Sequence, residues 1–428
     1  MTLFGSSGIR GIVDKRFLEL VFELGLCVGS SYRAVVVGCD TRTSGSALKH
    51  AFISALLSAG SRCYDAGTIP TPTLAYAASK FEAGAMLTAS HNPPQYNGIK
   101  LCNPDGSAFD YAQRERVEEM IVNRDLGLAS WEAMETSRAY PQAVEEHINR
   151  IIPNFGTKLR LNVVLDCGCG AASLVTPHLL RRMGCEVLAL NCDPGGYFPR
   201  GIEPIPENLG VLMQAVKATG ADLGIAHDGD GDRMVAVDDA GRFIPGDKLL
   251  ILFARELGAG KVVTTLDASM AVEESGFEVV RTRVGDAFVS EELRGGGDFA
   301  GEPSGSWIFP SVSYCPDGIY AAAQIIRIAC EKRLTKLVDD LPSYPILRGS
   351  VRGEGVIMAR MEQRLTEMEP VSVSKIDGIR LSFGDGWLLI RPSGTEPKIR
   401  LTAEARTRSR AKQLYDLGIE VIRECTKG

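Results

Sequence analysis

The sequence lacks the patterns that mark a secreted, zinc-binding or membrane-spanning chain. Its 11 cysteines include no Cys-x-x-Cys pair, and Cys167 and Cys169 have no second pair that would complete a zinc site. No apolar run approaches the ~18 residues that cross a bilayer, and the first residues do not resemble a signal peptide. We therefore interpret the cysteines as reduced core thiols and expect a cytoplasmic protein without a membrane partner.

Clusters of positive charge are also scarce. The 428 residues carry 47 Lys and Arg against 53 Asp and Glu, a net charge of −6, and no basic run occurs. A nucleic-acid partner is therefore not expected. If so acidic a chain handles an anionic substrate, its positive charges must be gathered locally, in a cleft. The composition is that of a globular protein, and the length predicts about three to four domains.

The order of the predicted strands and helices indicates an α/β fold with three α/β domains and a smaller C-terminal α+β domain. Short apolar runs in the first three domains are typical of buried strands and alternate with helical segments. After residue 370 the strands are joined by short turns, which indicates antiparallel pairing. Residues 131–147 are predicted to form a polar helix. We place the domains, the first three with mixed sheets, at 1–145, 146–244, 245–345 and 346–428.

Three aspartates alternate directly after an apolar strand. Asp228, Asp230 and Asp232 are expected to project to one side, because residues two apart in an extended stretch share a face. Carboxylates gathered at one point repel each other unless a cation lies among them, and oxygen ligands favour Mg²⁺, Ca²⁺ or Mn²⁺. An EF-hand is excluded, since its sixth and twelfth positions hold Arg233 and Asp239. The alternative is an acidic surface turn, but the alternation and the preceding strand favour a metal site.

Ser90 follows another predicted strand, at the strand end where α/β sheets bind ligands, and so does the polar loop 40–44. A serine hydroxyl is a weak nucleophile without a base or a metal. Neighbours in an extended chain point apart, so Ser90 and His91 are not expected to form a hydrolase-type pair. Taken alone, residues 88–94 are an ordinary turn. Near the aspartates, however, a phosphorylated Ser90 could share a Mg²⁺ with them, while His91 and Lys100 could move protons.

A last motif lies between Arg391 and Arg400. Between the two arginines, Ser393, Gly394 and Thr395 form a turn whose N–H groups and hydroxyls can hold a phosphate together with the arginine side chains. A hairpin turn with surface charges explains the same composition equally well. The residues alone leave both interpretations open.

These motifs together resemble the α-D-phosphohexomutase superfamily, which includes phosphoglucomutase, phosphomannomutase and phosphoglucosamine mutase. They occur in the family's order and cover nearly the whole chain, at 4–11, 88–94, 228–233, 301–305 and 391–400. The resemblance implies four domains around a central cleft. It also implies an isomerase that moves a phosphoryl group between the C6 and C1 oxygens of a hexose phosphate, through phosphoserine and a hexose bisphosphate that serves as intermediate and activator. One Mg²⁺ per chain and a monomer or homodimer are expected.

The resemblance also implies residue roles. The metal ligands would be Ser90, Asp228, Asp230 and Asp232. The catalytic candidates are Ser90, His91, Lys100 and Arg10, of which Lys100 would assist proton transfer and Arg10 would lie near the transferred phosphoryl group. The substrate-binding candidates are Ser7, Arg233, Arg283, Glu302, Ser304, Arg391, Ser393, Gly394, Thr395 and Arg400.

The sugar is less sharply indicated than the reaction. The Val-Gly-Asp segment at 284–286 and the loop at 301–305 are similar to those of phosphoglucosamine mutases, which favours glucosamine phosphates. Ser306 and Trp307 stand where many members have histidine after the Gly-Glu-x-Ser-Gly loop. Phosphoglucomutase or phosphomannomutase activity is the alternative, and a non-catalytic protein that binds metal or sugar phosphate is a third hypothesis.

Overall fold

The structure is a computed structural model that describes residues 3–5, 7–352, 358–392 and 398–425. Four separate sheets follow one another along the chain: one of six strands, two of four and one of five. Within the described residues, no helix combines the length and the apolar character needed to cross a membrane. The four sheets confirm the predicted α/β fold with a smaller C-terminal α+β domain.

The first domain is built on the six-stranded sheet. Its elements are β1 (Ile9–Ile12), α1 (Lys15–Ser31), β2 (Ala34–Cys39), α2 (Gly45–Ser58), β3 (Arg62–Thr68), α3 (Thr71–Ala78), β4 (Ala83–Leu87), β5 (Tyr96–Cys102), α4 (Tyr111–Val122) and β6 (Ser137–Ala139). The strands lie in the order β1-β5-β4-β2-β3-β6. β2 lies centrally because its apolar side chains, Val35, Val36 and Val37, are all fully buried.

The second and third domains have four-stranded sheets. The second contains α5 (Ala143–Phe155), β7 (Asn162–Asp166), α6 (Thr176–Arg182), β8 (Glu186–Leu190), α7 (Gly210–Thr219), β9 (Leu223–His227) and β10 (Met234–Val237). The third contains α8 (Gly246–Glu256), β11 (Lys261–Thr265), β12 (Glu278–Thr282), α9 (Asp286–Arg294), β13 (Phe299–Gly301), β14 (Trp307–Ile308), α10 (Gly318–Glu331) and α11 (Leu334–Asp339). One hydrophobic core runs through both domains.

The first three sheets share one topology. In each, a central strand (β2, β7 or β11) pairs in parallel with the next strand on one side and with a third strand on the other. A fourth strand then pairs antiparallel with that third strand. Ser90, Asp228 and Glu302 each follow the third strand of their own sheet (β4, β9 or β13), so the fold delivers them from equivalent positions.

The last domain has a different architecture. It contains β15 (Ile346–Arg352), α12 (Met358–Thr366), β16 (Ser372–Ser374), β17 (Ile379–Phe383), β18 (Gly386–Pro392), β19 (Lys398–Ala405) and α13 (Arg408–Cys425). The five strands are antiparallel neighbours, as the short turns predict. Helices α12 and α13 pack with one face of this sheet in a core of its own. The opposite face carries the arginines of the last motif.

Two predictions about the junction of the first two domains are wrong. Residues 131–147 do not form one polar helix, because they contain β6 and only the start of α5. Pro141 disfavours helical geometry at the residue before it, and β6 pairs in parallel with β3 instead. The boundary placed between residues 145 and 146 falls inside α5, which is a single helix, so the boundary belongs before residue 143.

Candidate active site

The four domains line one cleft of about 760 Å³. The first two domains contribute six of the residues named from the sequence: Ser7, Arg10, Ser90, His91, Asp232 and Arg233. The last two contribute five more: Arg283, Glu302, Ser304, Arg391 and Arg400. Lys100 lies behind the cleft, in a smaller and mainly apolar cavity that Asp232 also lines. Ser393, Gly394 and Thr395 fall outside the described residues.

Ser90 is almost completely buried, at 1% exposure, and it bridges the first two domains. Its hydroxyl donates a 2.6 Å hydrogen bond to Oδ2 of Asp228. Its backbone adopts a left-handed conformation with φ of 50°, which a non-glycine residue rarely takes. Arg10 lies beside the same loop and donates to Oδ1 of Asn92 at 2.8 Å. The loop therefore presents the Ser90 hydroxyl to the aspartates.

His91 does not point away from Ser90 as the extended-chain argument predicts. Its Nδ1 lies 3.3 Å from the Ser90 hydroxyl oxygen, because the left-handed turn at Ser90 brings the two side chains to one side. The positive charge of Arg233, together with burial and Arg10, lowers the pKa of His91 below its usual range. The imidazole is therefore neutral.

The three aspartates converge as their spacing predicts. Oxygen atoms of Asp228, Asp230 and Asp232 all lie within 4.8 Å of one another, and the three side chains are buried. Among the described residues, Oδ1 of Asp230 and Oδ1 of Asp232 are buried without a hydrogen-bond partner. Buried carboxylate oxygens without partners are costly, and a hard divalent cation with oxygen ligands would satisfy them. The residues present therefore fit a metal ion.

Lys100 supplies positive charge to this cluster. Its Nζ lies 2.8 Å from Oδ2 of Asp230 and 2.6 Å from Oδ2 of Asp232, and the hydroxyl of Thr71 also donates to Asp230 at 2.6 Å. Burial acts to raise the pKa of Asp230, but Lys100 and its hydrogen bonds hold that pKa below its usual value. Burial and the neighbouring carboxylates raise the pKa of Asp228 instead. Three carboxyl groups thus share one lysine, and ionisation of all three needs further positive charge.

Glu302 lines the cleft from the third domain. It is 5% exposed, and its Oε1 accepts a 2.9 Å hydrogen bond from the backbone N–H of Gly285. Burial, with the nearby charge of Asp286, raises the pKa of Glu302 from 4.5 to about 8. The hydroxyl of Ser7 donates to Asp286, which links the first domain to the third. Carboxyl groups thus face the cleft where a polyhydroxylated ligand needs hydrogen-bond partners.

The arginines of the last domain form the far end of the cleft. Arg391 on β18 and Arg400 on β19 are direct cross-strand partners, a placement that repels unless a negative charge lies nearby. Nη1 of Arg391 lies 3.1 Å from Oδ2 of Asp377. Arg283 of the third domain donates from Nε to the carbonyl oxygen of Ile376 at 3.0 Å. This end of the cleft is suited to an anion such as phosphate.

Each of the four domains matches a family model of known proteins. The chain matches the phosphoglucomutase/phosphomannomutase models for alpha/beta/alpha domain I at 1–127, domain II at 139–241, domain III at 245–344 and the C-terminal domain at 356–417. The chain belongs to the phosphoglucomutase/phosphomannomutase family.

Relatives within this family are similar over their whole length. A protein of Methanocella arvoryzae named "Probable phosphoglucosamine mutase" is 47% identical, over 99% of both chains. One of Methanococcoides burtonii with the same name is 48% identical, again over 99% of both. The crystal structure of a phosphoglucomutase/phosphomannomutase family protein from Burkholderia thailandensis is 28% identical and superposes with a TM-score of 0.88, covering 99% of this chain and 97% of that one.

Several residues of this family member were not identified from the sequence. Thr71 holds Asp230, and Asp286 receives the Ser7 hydroxyl. Arg348, on β15, lines a cavity beside Arg391 and Arg400. Arg42 lies in the polar loop 40–44, whose position after a strand was the only available signal. The others come from distant segments, so their contacts depend on how the domains pack together.

Proposed function

We propose that this chain is a phosphoglucosamine mutase, which interconverts glucosamine 6-phosphate and glucosamine 1-phosphate. One observation carries the proposal: a single cleft joins Ser90 and the aspartate cluster at one end to paired arginines at the other. When a hexose phosphate lies across this cleft, the arginines can bind its phosphate while its free hydroxyl faces Ser90. After the sugar has turned, the two positions of the sugar are exchanged. The names of the full-length relatives support glucosamine as the sugar.

The anchoring end is formed by Arg391 and Arg400. Their guanidinium groups would bind the phosphate that is not being transferred, and its charge would relieve the repulsion between the two cross-strand side chains. Glu302 and Ser304, on the loop after β13, would bind hydroxyl groups of the sugar. These contacts would align the free hydroxyl of the substrate with the phosphate on Ser90, which is the main contribution of an enzyme to such a transfer.

The transfer takes place at Ser90. In the proposed first step, the free hydroxyl of the hexose monophosphate attacks the phosphorus of phosphoserine, and the bond from phosphorus to the Ser90 oxygen breaks. The hydroxyl proton passes to His91, whose Nδ1 lies 3.3 Å from the Ser90 oxygen, and from His91 to that oxygen as its bond to phosphorus breaks. Lys100 and Arg10 supply positive charge around the phosphoryl group. The bisphosphate then turns in the cleft, and its other phosphate returns to Ser90 by the reverse step.

The aspartate cluster fits one Mg²⁺, and we propose Asp228, Asp230, Asp232 and the Ser90 phosphate as its ligands. When bound, the ion would neutralise charge on the phosphoryl oxygens during transfer. Arg233, which lies between this cluster and the cleft, would bind the substrate on the same side.

A side-by-side assay tests the proposal. The enzyme would be supplied with Mg²⁺, a sugar bisphosphate activator and the 1-phosphates of glucosamine, glucose and mannose, and kcat/KM would be measured for each. We expect the highest value for glucosamine 1-phosphate. A clear preference for glucose or mannose would contradict the proposed sugar, and no turnover of any of the three would contradict the mutase itself.

A further inference from the structure

Arg42 is a buried residue of the loop after β2, with 3% of its surface exposed. All five of its N–H donors are engaged. Nε pairs with Oδ2 of Asp40 at 3.1 Å. The other four donors reach backbone carbonyl oxygens of the Ser90 loop and of the first residue of β5: Ser90 at 2.8 Å, Asn92 at 2.6 Å, Pro93 at 2.8 Å and Tyr96 at 2.8 Å. A single side chain therefore fixes the course of the loop that carries Ser90.

The peptide groups on both sides of Ser90 are held by this arrangement. Arg42 binds the Ser90 carbonyl oxygen, while the Ser90 N–H donates to the hydroxyl oxygen of Thr88 at 2.9 Å. That hydroxyl in turn donates to Oδ2 of Asp40 at 2.6 Å, and Asp40 pairs with Arg42. The chain of contacts closes around the left-handed backbone of Ser90, a conformation that persists only where the surroundings impose it.

We propose that Arg42 is a positioning residue for phosphoryl transfer, which holds Ser90 in the left-handed conformation that directs its hydroxyl to Asp228. This inference rests on the mutase activity proposed above. Within the described residues Arg42 does not line the cleft, so it acts on the reaction through the Ser90 backbone and not through the substrate.

The second domain contains a similar but smaller arrangement. Arg200 forms an ion pair of 3.1 Å with Asp166 and donates from Nη2 to the carbonyl oxygen of His227 at 2.7 Å. Asp166 ends β7 as Asp40 follows β2, and His227 directly precedes Asp228. In both domains an aspartate at the end of the central strand thus pairs with an arginine that binds backbone carbonyl oxygen near the reactive residue, at four residues in the first domain and at His227 in the second. The two loops meet at the contact between Ser90 and Asp228.

The shape of the Arg42 guanidinium group is essential to this role, as well as its charge. Lysine has three donors at one point and cannot reach carbonyl groups on several sides, whereas the planar fork of arginine can. Arg42→Lys therefore keeps the charge beside Asp40 but releases most of the loop. We expect kcat to fall about 100-fold, the usual scale for a small misplacement of a reacting group, with KM nearly unchanged.

The experiment compares wild-type enzyme, Arg42→Lys and the control Arg327→Lys, which changes an arginine of α10 that pairs with Glu256 outside the cleft. Steady-state kinetics would be measured with Mg²⁺, glucosamine 1-phosphate and a sugar bisphosphate. Amide hydrogen exchange would follow residues 88–97, where we expect faster exchange only in Arg42→Lys. Guanidinium ion, but not methylammonium, is expected to restore part of the activity of Arg42→Ala.

Thr88→Val covers the case in which the Arg42 variants do not fold. It removes the hydroxyl that holds the Ser90 N–H, and we expect kcat to fall with KM retained. Wild-type kcat in a folded Arg42→Lys, or in Thr88→Val if the Arg42 variants do not fold, would overturn the inference. A rise in KM without a fall in kcat would also overturn it, since it would assign Arg42 to substrate binding. Absence of turnover by the wild type would instead overturn the proposed function.

Discussion

The hydroxyl of Ser90 lies 2.6 Å from Oδ2 of Asp228, and this hydrogen bond joins a loop of the first domain to a loop of the second. Both residues follow the third strand of equivalent sheets, and both are buried. The contact places the Ser90 hydroxyl beside the carboxylates that fit a metal ion. It is therefore the centre of the proposed mechanism.

Metal binding should depend on Asp228. Burial and the neighbouring carboxylates raise its pKa, so Asp228→Asn removes repulsion and should melt no lower than the wild type without metal. Mg²⁺ should raise the melting temperature of the wild type, since a ligand at 100 times its Kd stabilises by about 2.7 kcal/mol. The variant should gain much less. Thermal unfolding against Mg²⁺ concentration measures this, with the exposed Asp193→Asn as control. An equal rise in melting temperature with Mg²⁺ for the wild type and Asp228→Asn would contradict the metal site.

Arg391→Ala should weaken substrate binding more than it slows turnover. Hydrogen bonds to charged groups contribute about 1.5–3 kcal/mol, so KM should rise roughly 10- to 100-fold. The control is Arg406→Ala, which removes an exposed arginine of the same domain that pairs with Glu274. Initial rates over a range of hexose phosphate concentrations measure KM and kcat separately. An unchanged KM would count against the phosphate-anchoring interpretation.

Glu302 should make stability depend on pH. Its pKa is raised from 4.5 to about 8, so the folded protein keeps a proton that the unfolded chain releases between these values. The contribution of Glu302 to stability should therefore fall as pH rises through this window, by up to about 1.4 kcal/mol for each pKa unit. Glu302→Gln removes this ionisation.

Melting temperatures of wild type and Glu302→Gln at about pH 5 and about pH 9 measure this effect. The wild type should lose stability relative to the variant at the higher pH. The exposed Glu207→Gln serves as control and should follow the wild type. Parallel curves for wild type and Glu302→Gln would show that burial of Glu302 does not control its ionisation.

The sequence predicts much of this site because its signals are local. The alternate spacing of Asp228, Asp230 and Asp232 is sufficient to predict their convergence, and strand ends are predictable from apolar runs. The same reasoning fails at His91, because Ser90 has a left-handed backbone. The Ser90 carbonyl oxygen is bound by Arg42, which is distant in sequence, and the Ser90 N–H by the side-chain hydroxyl of Thr88. The reasoning also fails across residues 131–147, where pairing of β6 with β3 overrides the helical periodicity.

The contacts between domains could not be predicted for a related reason. Thr71 meets Asp230, and Ser7 meets Asp286, over long stretches of intervening chain. Thr71 carries no local pattern that marks it, and the Val-Gly-Asp segment does not indicate which residue Asp286 contacts. The cross-strand pairing of Arg391 with Arg400 likewise depends on the register of β18 and β19.

The most direct test of the account is phosphate transfer through Ser90. Wild type and Ser90→Ala would be incubated with Mg²⁺ and a sugar bisphosphate, bound phosphate would be located by mass spectrometry, and turnover of glucosamine 1-phosphate would be measured. The exposed Ser46→Ala is the control, and thermal unfolding without metal checks that each variant is folded. The account predicts phosphate on Ser90 of the wild type, and neither phosphate at residue 90 nor turnover in Ser90→Ala. Full activity of Ser90→Ala with added bisphosphate would contradict it.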